Sequence, residues 1–316
     1  MPDAPTKEEL EAAHCWEADD LIPRRPEMTA FRQRARLHQA RWREKHGHPI
    51  GSQPIVPRKG KPSRPVGSRL PLDYAQETGA SFLTVPALAA ARARTSFIER
   101  NQSVDHQRLW TDLLWSPALA FNLFGDLAAD LELANRAVQR WWPDAPGRVS
   151  DVRFAHSPGW LDPEYINSLR AFDAVVVLDL DDGTKGVIGV DAKYHERSKG
   201  EIPRPENLRR YRDVAKRSRA FRPRATDSLE GTSDLAVMWL EHLLLHSMLQ
   251  HPSGTWSWGR YVVVHPAGNP DVSDMCARYQ ALLDDRSTFA SLTIEELLGA
   301  LPRATAAGVR NRYVDG

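Results

Sequence analysis

The stretch from Phe172 to Tyr194 constrains the fold of this chain more than any other. Two apolar runs flank Asp181-Asp182-Gly183, and a three-residue loop with glycine in the left-handed position is a common hairpin connection. Such a loop pairs Leu180 with Thr184. Asp173 then lies opposite Asp191, Val175 opposite Gly189, Val177 opposite Val187 and Asp179 opposite Lys185. The other face sets Phe172, Ala174, Val176 and Leu178 against Ala192, Val190, Ile188 and Gly186, and is apolar throughout. A slip of one residue carries Asp191 to the apolar face, where an unpaired carboxylate is costly, so the alternation selects its own register.

That register leaves the carboxylates of Asp173 and Asp191 side by side, with Lys193 two residues on and on the same face. Like charges directly opposite on a sheet repel, and a divalent cation between them is the simplest reason for a stable protein to keep them. Hard oxygen ligands suit magnesium or manganese. Such an ion acidifies bound water and neutralises charge growing on a phosphate oxygen, while Lys193 orients the water and stabilises the same charge. The reaction class is metal-assisted hydrolysis of a phosphodiester. The competing reading of the same residues is a solvent-facing hairpin whose acids interact with Lys193 and Lys185.

With Asp173 on one strand, Asp191-Ala-Lys193 on the next and an acid on a preceding helix, the chain resembles the PD-(D/E)xK, or restriction-endonuclease-like, nuclease superfamily. Leu113-Leu-Trp-Ser-Pro-Ala-Leu-Ala-Phe-Asn-Leu-Phe-Gly125, Arg153-Phe-Ala-His-Ser-Pro-Gly159 and Asp191-Ala-Lys-Tyr-His-Glu196 are similar to an uncharacterised bacterial branch of it. Gly67-Ser-Arg-Leu-Pro-Leu72 belongs to the same pattern. The resemblance implies an α/β fold: a restriction-endonuclease-like core with a mixed central β-sheet flanked by helices, preceded by an N-terminal helical arm. It implies magnesium-dependent cleavage of DNA, with Mn2+ as the other candidate ion, Asp173 and Asp191 as metal ligands and Lys193 as the catalytic lysine. The helical acid is Glu99 or, as a substitute, Asp112. Phe172 stands where the motif's name has proline, and Asp191 where glutamate is more frequent. The alternative function is a non-catalytic nucleic-acid- or protein-binding module on the same fold.

Charge is uneven along the chain. The total is +1, yet residues 21–70 carry +11 and residues 193–224 carry +8, leaving −18 for the remainder. The second block starts at Lys193, which places Arg197, Lys199, Arg209, Arg210 and Arg212 as candidate phosphate contacts and Tyr211 as a packing residue. His195 shares the face of Lys193 and either touches phosphate or makes an ordinary hydrogen bond, and Glu196 is either a supporting or a surface acid.

Helical spacing predicts a helix over 27–46, with Phe31, Ala35, His38 and Trp42 on one stripe, and a Pro-rich extended connector over 50–71. A helical region over 105–142, broken near Pro117 and Gly125, carries the aromatic core set Trp110, Trp115, Phe121, Phe124, Trp141 and Trp142. Strands are expected at 149–155, 172–180, 185–194 and 261–265, and helices at 234–250, 272–284 and 294–301, the last capped by Thr293. Residues 1–85 form the basic helical and Pro-rich arm, and 86–316 the nuclease-like domain. His242 and His246 share a helix face, but Leu243 stands where an HExxH motif needs glutamate, which favours a core helix over zinc. Cys15 and Cys276 form no CxxC spacing, and Glu241, His242 and His246 interrupt the most apolar helix, so we expect a cytoplasmic protein with no membrane span. Nothing in the sequence sets the oligomeric state.

Overall fold

The computed structural model describes residues 4–15, 29–54, 63–97, 104–195 and 201–315. In chain order these form α1 (Lys7–Ala12), α2 (Ala30–Lys45), a ribbon of β1 (Gly51–Gln53) and β2 (Arg64–Val66), then α3 (Leu72–Thr78), α4 (Val85–Ser96), α5 (His106–Thr111), α6 (Ser116–Ala129) and α7 (Leu131–Trp141). There follow β3 (Arg148–His156), β4 (Phe172–Asp179), β5 (Lys185–Ala192), α8 (Leu208–Ser218), α9 (Ala236–Leu249), β6 (Trp256–His265), α10 (Pro270–Gln280), β7 (Phe289–Thr293), α11 (Ile294–Leu298) and α12 (Arg303–Val309).

The main sheet has the order β3-β4-β5-β6-β7. Its first three strands are an antiparallel meander, whereas β6 runs parallel to β5 and β7 parallel to β6. A hairpin loop suffices for the meander, but the parallel step from β5 to β6 needs a long crossover, which α8 and α9 supply. This is the mixed α/β sheet flanked by helices that the sequence implies.

The hairpin register is the expected one: Val175 faces Gly189, Val177 faces Val187 and Asp179 faces Lys185. Gly183 has φ 82°, and the Leu180 amide donates to the Thr184 carbonyl at 3.1 Å. The ladder ends at Ala174 and Val190, so the expected pairs Asp173/Asp191 and Phe172/Ala192 fall just beyond it. There the Asp173 carboxylate itself accepts the Ala192 amide hydrogen bond at 2.9 Å. Phe172 also departs from strict alternation. Its ring lies over Gly189, where an added Cβ would come within 2.6 Å of it, and it packs with Val175, Val177 and Tyr261 rather than with Ala174.

Both faces of the sheet are covered. Residues of α4, α6 and α7 pack on Ala174, Val176, Leu178, Ile188 and Val190, and residues of α8, α9 and α10 pack on Val175, Val177, Val187 and Val263. The acidic face of the hairpin is therefore under α9 rather than open to solvent, as the Val-rich runs of a doubly covered sheet require.

The helical region breaks at 112–115 and at Asp130. Pro117 sits in the first turn of α6, where its missing N–H has no intrahelical partner to lose. Gly125 does not break α6. A Cβ there would lie 2.5 Å from the Ala87 Cα, so this glycine permits the close approach of α4 and α6. Neither α4 nor β7 is anticipated by the pattern, and β6 begins at Trp256 instead of 261. Thr293 caps α11 in a reciprocal capping box with Glu296.

Helix α2 starts at its Thr29 cap and clasps the far end of the chain. Gln39 donates to the Tyr194 hydroxyl at 3.1 Å and to the Arg312 carbonyl at 2.6 Å, and the fully buried Arg312 guanidinium lies 4.6 Å from the Trp42 ring centre. Of the expected connector, 55–62 lies outside the described residues and the flanking pieces pair as β1 and β2.

Candidate active site

The end of β5 is tied to the helical layer before it delivers its side chains. The Tyr194 amide donates to Ser116 Oγ at the start of α6 (2.9 Å), and the Lys193 amide continues the parallel ladder to the Val264 carbonyl (2.8 Å). Within α6, Asn122 accepts the Leu83 amide at 2.7 Å and donates to the Ser81 carbonyl and the Tyr313 hydroxyl. The Phe-Asn-Leu-Phe-Gly stretch is thus a packing and clamping element behind the site.

Lys193 Nζ lies 2.7 Å from Asp191 Oδ1, with the Asp191 side chain 6% exposed and that of Lys193 20% exposed. Burial works against the lysine's charge, but the carboxylates of Asp191, Glu241 and Asp173 outweigh it and push its pKa above the ordinary value. Lys193 is thus held as an ammonium against Asp191, suited to holding a water or a phosphate oxygen.

Glu241, on α9, is a site acid that the sequence reading treats only as an interruption of an apolar helix. It is buried, and the Tyr261 hydroxyl lies 2.8 Å from its Oε2 and 3.1 Å from Asp191 Oδ2. Arg170 reaches Glu241 at 3.9 Å and pairs more closely with Glu201. Burial, followed by the charge of Asp191, pushes the Glu241 carboxyl well above the usual range.

The other expected site residues are placed as follows. Asp173, half-buried at the start of β4, contributes to the field at Lys193 and lines the same cavity as Glu241. Glu99, Glu196, Arg197 and Lys199 lie outside the described residues. Asp112 is buried between Arg108 (2.8 Å) and Arg69 (3.5 Å) and accepts the Leu114 amide. Burial alone would raise its pKa, but the two guanidinium groups hold it below its ordinary value, and its role is to fasten the turn into α6.

On α8, Arg209 is exposed, Arg210 donates to the Tyr165 carbonyl at 2.6 Å, and Arg212 donates to Glu230 at 2.6 Å. Tyr211 packs edge-on to Trp239, as expected. His195 is buried and its carbonyl accepts from Arg32 of α2. His242 is a core residue bonded to the Tyr279 and Thr288 hydroxyls. Of the aromatic set, Trp110, Phe121, Phe124 and Trp142 are buried in the core, but half-buried Trp115 lines the cavity at the acids.

Among the described residues no three His, Cys, Asp or Glu side chains already converge as a ready-made metal cage. The donor chemistry nonetheless fits a hard cation. Asp173, Asp191 and Glu241 offer carboxylate oxygens, and burial beside Asp191 raises the pKa of Glu241 even with Lys193 and Arg170 nearby. A hard cation that keeps several waters needs only one or two protein carboxylates.

Asp191 and Lys193 at the end of β5, next to Asp173 at the start of β4 in a mixed five-stranded sheet, agree with the result of comparison: a model of the PD-(D/E)XK nuclease superfamily matches residues 26–315. The chain belongs to this superfamily. No curated protein and no solved structure matches it. The PD-(D/E)XK superfamily is one of nucleases, which hydrolyse nucleic acid and typically use divalent metals. The match begins ahead of α2, so the helix that clasps Tyr194 lies within the superfamily region. Among the described residues no helix is long and apolar enough to cross a membrane.

Proposed function

We propose that this PD-(D/E)XK protein is a magnesium-dependent DNA endonuclease in which manganese can replace magnesium. The observation that carries this reading is the Lys193 ammonium fixed on Asp191 within one buried cluster with Glu241 and Asp173. Asp173 and Asp191 would hold the ion, with Glu241 beside them as a further candidate ligand. When bound, the ion supplies a more acidic water and charge neutralisation on the phosphate.

The protein's own groups do the rest. Tyr261 holds Asp191 and Glu241 in register, the Ala192 amide fixes Asp173, and Lys193 stabilises the charge that grows on the attacked phosphate. Arg209, Arg197 and Lys199 are the basic groups assigned to the strand, and Glu99 is a further acid to test. Residues 1–85 act as an arm on the 86–316 nuclease domain, and the enzyme works in the cytoplasm.

The test is cleavage of plasmid and linear DNA with Mg2+ and with Mn2+. Wild type cuts, whereas Asp191→Ala and Lys193→Ala remain folded and do not. Metal-dependent cleavage that survives both changes overturns the assignment. Magnesium-independent binding without cleavage by any of the three proteins would mark the non-catalytic module instead.

A further inference from the structure

Two of the site acids, Asp173 and Glu241, form part of the wall of a concave cavity of about 290 Å³ whose lining also includes Arg170, Trp115 and Trp160. That volume is at the small end of ligand pockets, roughly 300–1,000 Å³. It has room for a single nucleotide and not for the body of a double helix. Most of the lining is aromatic or aliphatic, including the two half-buried tryptophans and Leu169, which is 38% exposed. Its charged members are Arg170, Asp173, Glu201, Arg204 and Glu241.

Each tryptophan also carries a guanidinium against its ring, Arg108 at 5.3 Å from the Trp115 centre and Arg94 at 6.0 Å from that of Trp160. The exposed Arg204 lines the same cavity. Arg108 is bound to Asp112 and Arg94 to the Phe154, Phe97 and Ala155 carbonyls, so these two fix the indoles, while an unpaired base stacks on the ring and its phosphate meets Arg204. In a paired duplex the bases face the helix axis and are not available to such walls. A nucleotide whose base enters this cavity must therefore leave the stack.

We infer that the cavity receives one unpaired nucleotide next to the cleaved bond, with its base against Trp160 and Trp115, so that the substrate is single-stranded or locally melted DNA. The inference rests on the nuclease reading for its cleavage arm but has a separate binding arm. In both arms the full-length protein meets one oligonucleotide sequence as a single strand, as a perfect duplex and as a duplex with an internal unpaired stretch.

Cleavage is followed with Mg2+, and binding is followed with Ca2+ by the fluorescence of a 2-aminopurine placed in the strand. The single strand and the unpaired stretch are cut, the perfect duplex is not, and stacking quenches the 2-aminopurine. Trp160→Ala weakens binding of the single strand roughly tenfold, while Trp160→Phe keeps most of it. Arg204→Ala, a change at an exposed residue that leaves the fold intact, weakens it as well. Faster cleavage of the perfect duplex, or single-strand affinity unchanged in both Trp160→Ala and Arg204→Ala, overturns the inference. Tryptophan-dependent quenching without cleavage of any substrate supports the pocket assignment and removes the nuclease reading instead.

Discussion

The Tyr261 hydroxyl stands between Asp191 and Glu241, 3.1 Å from one carboxylate and 2.8 Å from the other. A phenol has one proton to donate, so it satisfies one acid, and the second short contact needs a proton on a carboxyl group. Glu241 supplies it, because burial and the neighbouring Asp191 both disfavour its ionised form. Strand β6, helix α9 and strand β5 thus meet at one hydroxyl shared by two carboxyl groups.

Glu241→Gln tests whether α9 contributes a ligand. The amide resembles the protonated acid in shape and charge, so the fold and its melting temperature are expected to hold. Magnesium affinity measured by calorimetry falls, and the cleavage rate drops on the order of a hundredfold, because an anionic ligand has been replaced by a neutral one. An unchanged rate places the ion elsewhere.

Lys193→Met separates the lysine's two duties. Its loss leaves the buried carboxylate of Asp191 and the half-buried one of Asp173 short of their cation, and the metal-free protein loses about 3 kcal/mol of stability to chemical denaturation. Magnesium restores more stability to this variant than it adds to wild type. Cleavage stays roughly 100- to 1,000-fold down even at saturating metal, since the group that meets the developing phosphate charge is gone.

The hairpin was legible because its period of two, its glycine turn and the cost of burying a carboxylate all point to one register, and the structure reproduces it from Ala174 to Asp179. Where a side chain replaces the backbone ladder, at Asp173, the periodic rule stops and Phe172 turns to the other side over Gly189. Glu241 was within reach. A single acid in the apolar run of α9 has a price that something must offset, and its partners, Tyr261 and Arg170, are far away in sequence. The same distance hides the roles of Asp112, fastened by Arg69 and Arg108, and of Arg210 and Arg212, whose hydrogen bonds to the Tyr165 carbonyl and to Glu230 form only in the folded chain. Strand β7 is short and edge-placed, with half-buried residues that carry little pattern.

Gly125→Ala separates a packing glycine from a helix breaker. In an unconstrained helix interior this change stabilises by about 1 kcal/mol. At Gly125 the new Cβ would sit 2.5 Å from the Ala87 Cα, a backbone-borne atom that moves only if α4 and α6 separate. The expected outcome is a net loss of about 1–3 kcal/mol in urea unfolding. A gain in stability would show that the two helices have slack between them.

His246 gives the fold a defined acid sensitivity. It is 3% exposed, its Nε2 has no hydrogen-bond partner among the described residues, and it packs against Phe221 and His242. Burial lowers its pKa from 6.5 to about 4, against a small opposing pull from Asp285. The unfolded chain therefore binds a proton between pH 6.5 and 4 that the folded chain refuses. The stabilising contribution is complete above pH 6.5 and is lost as the pH falls towards 4, by about 3 kcal/mol at most. His246→Leu keeps an apolar side chain at this position and removes the titration. Denaturation midpoints of wild type should fall more steeply than those of the variant across that window, and the two curves should run parallel above it. Parallel curves throughout would mean that His246 takes up its proton without unfolding the helix.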